Sequence, residues 1–173
     1  MTQVYSFPFP ADSVGDLGRK MARVIGGEDF SVRQRIEELY VLVRGLPHGP
    51  MQRMSQPSCL GKWVFIACDE RLPIAMMECR ITVWFGEIWL RLDDLVVHSN
   101  HLGTFVEELL IEAAKVKAQG PLPDFAQSLL LTRLQAVAGI HQTALQAALE
   151  ECQFQLIETS RHELLYDYDL IGR

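Results

Sequence analysis

Two adjacent carboxylates, Asp93 and Asp94, stand inside Leu92-Asp93-Asp94-Leu95-Val96-Val97-His98, a run whose apolar and β-branched residues argue for a buried strand. Burial in a sheet penalises the charged form of a carboxyl and raises its pKa. A raised carboxylate can take a proton from an ammonium, directly or through water. Strict alternation places Asp94 with Val96 and His98 on one face, and Asp93 with Leu95 and Val97 on the other. The competing reading is a carboxylate held by neighbouring backbone donors. His98 and His101 add imidazoles, but one ends the strand and the other lies in a turn. No third ligand has a zinc-like spacing, so no metal site is expected. The cysteines Cys59, Cys68, Cys79 and Cys152 form no C-x-x-C pair and have no basic cluster to activate them. Cys68 and Cys79 fall in strand-like runs and read as small buried hydrophobes, with no disulfides expected.

Beyond the strand, Thr104-x-x-Glu107 has the spacing of a capping box, in which two side chains satisfy the first amides of a helix. The aromatics Tyr40, Trp63, Trp84, Phe85 and Trp89 line either a ligand pocket or the core. Trp84-Phe85, at the tip of an expected hairpin, is a candidate contact for a protein partner or a second copy. The Pro-rich stretch 47–57, with Met51 and Met54, reads as a lid or a mobile connector.

These residues need a scaffold, and the hydrophobic period supplies one. A strand over Val4–Phe9 precedes a helix capped by Asp12 or Ser13, with Val14, Leu17, Met21, Val24 and Ile25 on its inner face. A second helix after Ser31 buries Val32, Ile36, Leu39, Tyr40 and Val43 and stops at Gly45. Strands follow over 63–68, 74–84 and 88–98, with a hairpin turn at Phe85-Gly86-Glu87. A helix over 104–119 buries Val106, Leu109, Leu110, Ala113 and Val116. A strand over 129–134, a helix over 141–152 and strands near 154–157 and 163–170 complete β-α-α-β-β-β-α-β-α-β-β. The expected fold is α/β, one domain over 1–173, with a mixed sheet and helices on both faces.

Composition narrows the function classes. The 173 residues are 49% apolar and carry 16 basic against 22 acidic side chains, for a net charge of −6. With a pI near 5.3 and no basic stripe, a nucleic-acid or anionic-membrane partner is not expected. A mean hydropathy of +0.08 with dispersed charge argues against disorder. No run reaches the roughly 20 apolar residues of a membrane span, and residues 1–5 lack a signal-peptide pattern. A cytoplasmic location is expected.

The element order, with a long strand feeding a helix over 88–119, resembles the GNAT superfamily of acyl-CoA-dependent N-acyltransferases. Leu92–His98 resembles that family's fourth strand, and the helix over 141–152 followed by Phe154 resembles its late helix and the start of its sixth strand. The resemblance implies a mostly antiparallel sheet of about seven strands. It implies transfer of an acyl group, acetyl above all, from acetyl-CoA or another acyl-CoA to an amine of a small molecule or a protein. It further implies Asp94 as general base and a strand N–H near Val96 or Val97 on the tetrahedral intermediate. The loop and first helical turn at Leu102, Gly103, Thr104, Phe105, Val106 and Glu107 would receive the diphosphate.

That loop departs from the family pattern Arg/Gln-x-x-Gly-x-Gly/Ala. Leu102 stands for the basic residue, Phe105 for a glycine and Glu107 for glycine or alanine. No tyrosine lies between His141 and Cys152 to serve as general acid. A carboxylate ~6 Å from a phosphate charge costs about 3 kcal/mol at an effective dielectric of 20, roughly a hundredfold in affinity. These departures imply an alternative role: a protein that keeps the fold, has lost acyl-CoA binding and works as a binding or regulatory module.

Overall fold

The computed structural model describes residues 1–8, 14–46, 49, 51, 59–84, 86–120 and 130–172. The expected cap at Asp12 or Ser13, Met54 and most of 47–57, and Phe85 at the hairpin tip lie outside the described residues, as does the side chain of Trp84. The elements are β1 (Gln3–Pro8), α1 (Val14–Ile25), α2 (Asp29–Arg44), β2 (Cys59–Asp69), β3 (Leu72–Trp84), β4 (Glu87–Val97), α3 (Val106–Ala118), β5 (Leu131–Gly139), α4 (Thr143–Glu151), β6 (Gln155–Thr159) and β7 (Glu163–Asp169). They form a seven-stranded sheet in the order β1-β2-β3-β4-β5-β7-β6. Every pairing is antiparallel except β4 with β5, which run parallel.

Each face of the sheet has its own core. On one side α1 and α2 bury Leu17, Met21, Ile36 and Leu39 against Val64, Ile66, Met76 and Val96. On the other, α3 and α4 bury Leu110, Ile111, Ala114 and Leu149 against Phe65, Met77, Leu90, Leu92 and Leu134. The α2 stripe is the expected one: Val32, Ile36, Leu39, Tyr40 and Val43 are all buried. In α1 the expected inner residue Val24 is instead 54% exposed.

The α3 stripe is rotated from the expected one. Val106, Leu110, Ile111, Ala114 and Ala118 face the sheet, whereas Leu109 is 41% and Val116 69% exposed. Two apolar stripes run along this helix, and the sheet takes the one beginning at Val106. Strand β5 extends to Gly139, five residues past the expected end, because Ala136, Val137 and Ala138 are buried among larger neighbours. Cys68 and Cys79 are buried, as their strand positions imply, and burial pushes the Cys68 thiol up to about 12 and Cys79 well above its usual value.

Candidate functional site

The register of β4 breaks at Asp94. Glu78 of β3 pairs with Asp93 and Met77 pairs with Leu95, so Asp94 is an extra residue in a β-bulge, at φ 31°. The bulge changes the expected faces. Asp93 shares the α2 side with Trp89 and Arg91, while Leu95 and Val97 pack in the α3-side core and Val96 in the α2-side core. Asp93 therefore does not share a face with Leu95 and Val97, because the inserted residue resets the alternation.

The same stretch is where β4 and β5 part. Their rungs run from Ile88↔Leu131 to Leu92↔Ala136 and stop there, leaving the edge of β4 through Val96 and Val97 with no rung on β5. Asp93, Asp94, Leu95, Val137, Gln142 and Leu145 line a narrow cavity at this splay, of about 10 Å³. That is room for about one water. Asp94 is 6% exposed and Asp93 4%. Desolvation pushes the Asp93 carboxyl up to about 6, against the opposing pull of Arg80 and Arg91. Its oxygens lie 3.0 Å from Arg80 Nε and 3.4 Å from Arg91 Nε. Neither contact has hydrogen-bond geometry, so charge proximity alone holds the group.

After β4 a 3-10 turn over Ser99–His101 leads to Leu102, Gly103 at φ 72°, Thr104 and Phe105 at φ 61°. An added Cβ at Gly103 would meet nothing, so glycine is needed there for its backbone angle and not for space. The expected capping box does not form. Phe105, in the left-handed region, is the N-cap of α3 and makes no side-chain cap. The Thr104 hydroxyl donates back to the His101 carbonyl at 2.5 Å. The αL turn at Phe105 sets Thr104 one position too early to reach the first helical amides. Glu107 is 5% exposed, and its carboxylate accepts from its own amide; burial raises its pKa, with Glu108 adding to the rise. Val106 is buried, whereas Leu102 and Phe105 are 62% and 75% exposed.

A second hollow, of about 400 Å³, opens on the α2 side, where β5, β7 and β6 continue past the edge of α2. Rungs place Trp89 beside Arg133, Arg91 beside Gln135, Gln135 beside Asp167, and Leu165 beside Glu158. Burial lowers the pKa of the Arg91 guanidinium; it lies against Asp93 and donates to the Met51 carbonyl. The Met51 N–H donates to Glu163 at 3.1 Å, so this part of the expected lid is tied to the sheet. Arg133 pairs with Asp167 at 2.8 Å, lies 3.8 Å from Glu87 and stacks 5.7 Å from the Trp89 ring.

Of the aromatics expected at a pocket, Trp89 lines this hollow. Trp63 is 1% exposed in the α3-side core, and Tyr40 is buried against Glu78, its pKa raised by burial and that carboxylate. His98 and His101 lie with ring centroids 6.4 Å apart, and His98 Nε2 is 3.8 Å from Glu38. Among the described residues no three His, Cys, Asp or Glu side chains converge on one point. Arg91, Arg133 and Glu158 were not singled out from sequence. For Arg91 the signal is the row of Thr82, Arg80 and Glu78 on β3 opposite Trp89, Arg91 and Asp93 on β4, visible only once the strands are in register; Arg133 on β5 and Glu158 on β6 lie outside that row.

The seven-stranded mixed sheet with helices on both faces has the fold of solved GNAT N-acetyltransferases. No family model and no curated protein matches the sequence. Solved structures match its fold. An acyl-CoA N-acyltransferase from Pseudomonas aeruginosa superposes with a TM-score of 0.57 at 14% identity, covering 96% of this chain and 99% of that one. A GNAT-family acetyltransferase from Streptococcus pneumoniae gives 0.54 at 11% identity, with 96% and 99% covered. The N-acetyltransferase PseH from Campylobacter jejuni, in complex with acetyl coenzyme A, gives 0.50 at 13% identity, with 98% and 99% covered. Among the described residues no helix is long and apolar enough to cross a membrane.

Proposed function

We propose that the protein is an N-acyltransferase, moving an acyl group, acetyl above all, from a CoA thioester to an amine at the splay between β4 and β5. The observation that carries this reading is the coincidence of the Asp94 bulge with the last β4–β5 rung. An extended pantetheine arm carries amides, and it can add to the exposed edge of β4 as a strand would. The thioester supplies an activated acyl carbon. Amides near Val96 and Val97 would donate to the oxygen that gains charge. The base would come from the Asp93–Asp94 pair. Asp94 is the family-implied candidate, and Asp93, pushed up to about 6, is poised to take a proton near neutral pH.

The loop fits the donor less well than the strand does. Glu107 lies where a diphosphate would seek amides, and Leu102 brings no positive charge. The narrow cavity at the splay also requires Gln142 and Leu145 to give way before an arm enters. These observations are what supports the second reading, a GNAT-fold binding or regulatory module without acyl-CoA.

One experiment separates the two. Millimolar acetyl-CoA raises the melting temperature if the native state binds it. The double variant Phe105→Gly, Glu107→Gly should then bind at least tenfold more tightly by titration calorimetry. If neither form shifts or gives heat, the transferase reading fails and the module reading stands.

A further inference from the structure

The larger hollow, on the α2 side, differs from the splay in being roomy and nearly charge-balanced. Arg91 faces Asp93 and the Met51 carbonyl, and Arg133 faces Asp167 and Glu87. Both guanidiniums are thus occupied, and neither needs an anion from outside. Glu158 is different. It is exposed on β6, and no cation lies within ion-pair distance of it among the described residues. Its rung pairs it with Leu165, which pairs in turn with Val137, a residue lining the splay cavity. Glu158 therefore stands level with the splay along the strand direction, on β6, with β7 and β5 between it and β4. The remaining wall is largely apolar: Met51, Trp89, Leu165 and Ile157, the last 58% exposed.

We propose that this hollow binds a small hydrophobic primary amine, its ammonium on Glu158 and its apolar body against Trp89, Ile157 and Leu165. A volume of about 400 Å³ suits a body of one ring or a short chain. An amine that also carries a carboxylate is rejected, because its anion meets either Glu158 or arginines already paired with acids. The molecule would then be the acyl acceptor for a splay at the same level of the sheet. That last step rests on the transferase reading; the binding itself does not.

Titration calorimetry of the full chain without any acyl-CoA tests the binding. The probes are 2-phenylethylamine, 3-phenylpropionate and phenylalanine, which share a ring and differ in charge. The amine should bind, the acid should not, and phenylalanine should bind at least tenfold more weakly than the amine. Glu158→Gln, an exposed substitution that leaves the core untouched, should weaken the amine by about fivefold, the scale of a solvent-exposed ion pair. Ile157→Ala, which removes apolar wall without adding charge, should also weaken it. Equal or tighter binding of phenylalanine or the acid, no heat from the amine, or no effect of Glu158→Gln would overturn the proposal. Because acetyl-CoA is absent throughout, a failed transferase reading leaves this result unchanged, and a failed amine titration leaves the acetyl-CoA melt to be judged separately.

Discussion

At its amino-terminal end β4 offers Trp89 and Arg91 to a hollow whose two arginines are matched by acids on the same or neighbouring strands. At its carboxyl end it breaks register at Asp94, parts from β5 and runs into a surface loop led by Leu102 and Phe105. The first region is ordered by pairing: each polar side chain has a rung neighbour that fixes its direction. The second is shaped by what pairing omits, an extra residue on one edge and missing rungs on the other. One strand thus borders the hollow at one end and the splay at the other, and the bulge is the boundary between them.

If the bulge is that boundary, deletions on its two sides should differ most of all. Removing Asp94 leaves Asp93 opposite Glu78 and Leu95 opposite Met77, so the pairing closes without moving a side chain to the wrong face. Removing Arg91 pushes Leu92 onto the charged side and Asp93 into the apolar core. Urea unfolding should show a loss of more than about 4 kcal/mol for the Arg91 deletion and less than about 2 kcal/mol for the Asp94 deletion. Comparable losses would mean that the bulge is not a removable insertion. The healed strand should also lose any response to acetyl-CoA while keeping that to 2-phenylethylamine.

The charge at the boundary gives the next largest effect. Asp93 has a folded pKa of about 6, above the roughly 3.9 of an unfolded aspartate. Between those values the folded chain holds a proton that the unfolded chain has released, so stability falls as pH rises. Its contribution is fully present below about pH 4 and lost by about pH 6 to 7. A shift of about two units corresponds to about 3 kcal/mol. Asp93→Asn should flatten the difference between stabilities measured at pH 4.5 and pH 7. An unchanged pH slope would place the titrating group elsewhere, in Glu107 or Asp167, whose carboxyls burial also raises.

What was legible in the sequence follows the same division. The α2 stripe could be read because Val32, Ile36, Leu39, Tyr40 and Val43 recur at helical spacing, even though Val41 and Leu42 are exposed on the same helix. The α3 stripe could not, since Leu109 and Val116 are as apolar as the Leu110 and Ala114 that the sheet buries. The strand Leu92–His98 and the single glycine, Gly103, of the loop after it could be read from the residue pattern. The bulge was not, because an inserted Asp94 beside Asp93 looks the same as an alternating pair. The Thr104–Glu107 spacing satisfied a local rule that the left-handed turn at Phe105 overrides. The hollow was invisible because its residues come from five strands, and only their register brings Trp89, Arg133 and Glu158 to one wall.

The smallest effect separates the two readings of the loop. Phe105 is 75% exposed and sits at φ 61°, a region that costs a residue with a Cβ roughly 1–2 kcal/mol. Glycine has no such strain and is a favoured N-cap, though it loses about 0.5–1 kcal/mol more chain entropy on folding. Phe105→Gly should therefore stabilise the fold by about 1 kcal/mol at most. For a chain of this length that is a rise of roughly 2–4 °C in melting temperature. A fall would show that the ring has contacts within the chain that offset the strain. If the rise is seen, the chain keeps a strained aromatic at its surface against its own stability. The ring then answers to something outside the fold, and the same variant, folded and more stable, becomes a clean probe for a partner lost with Phe105.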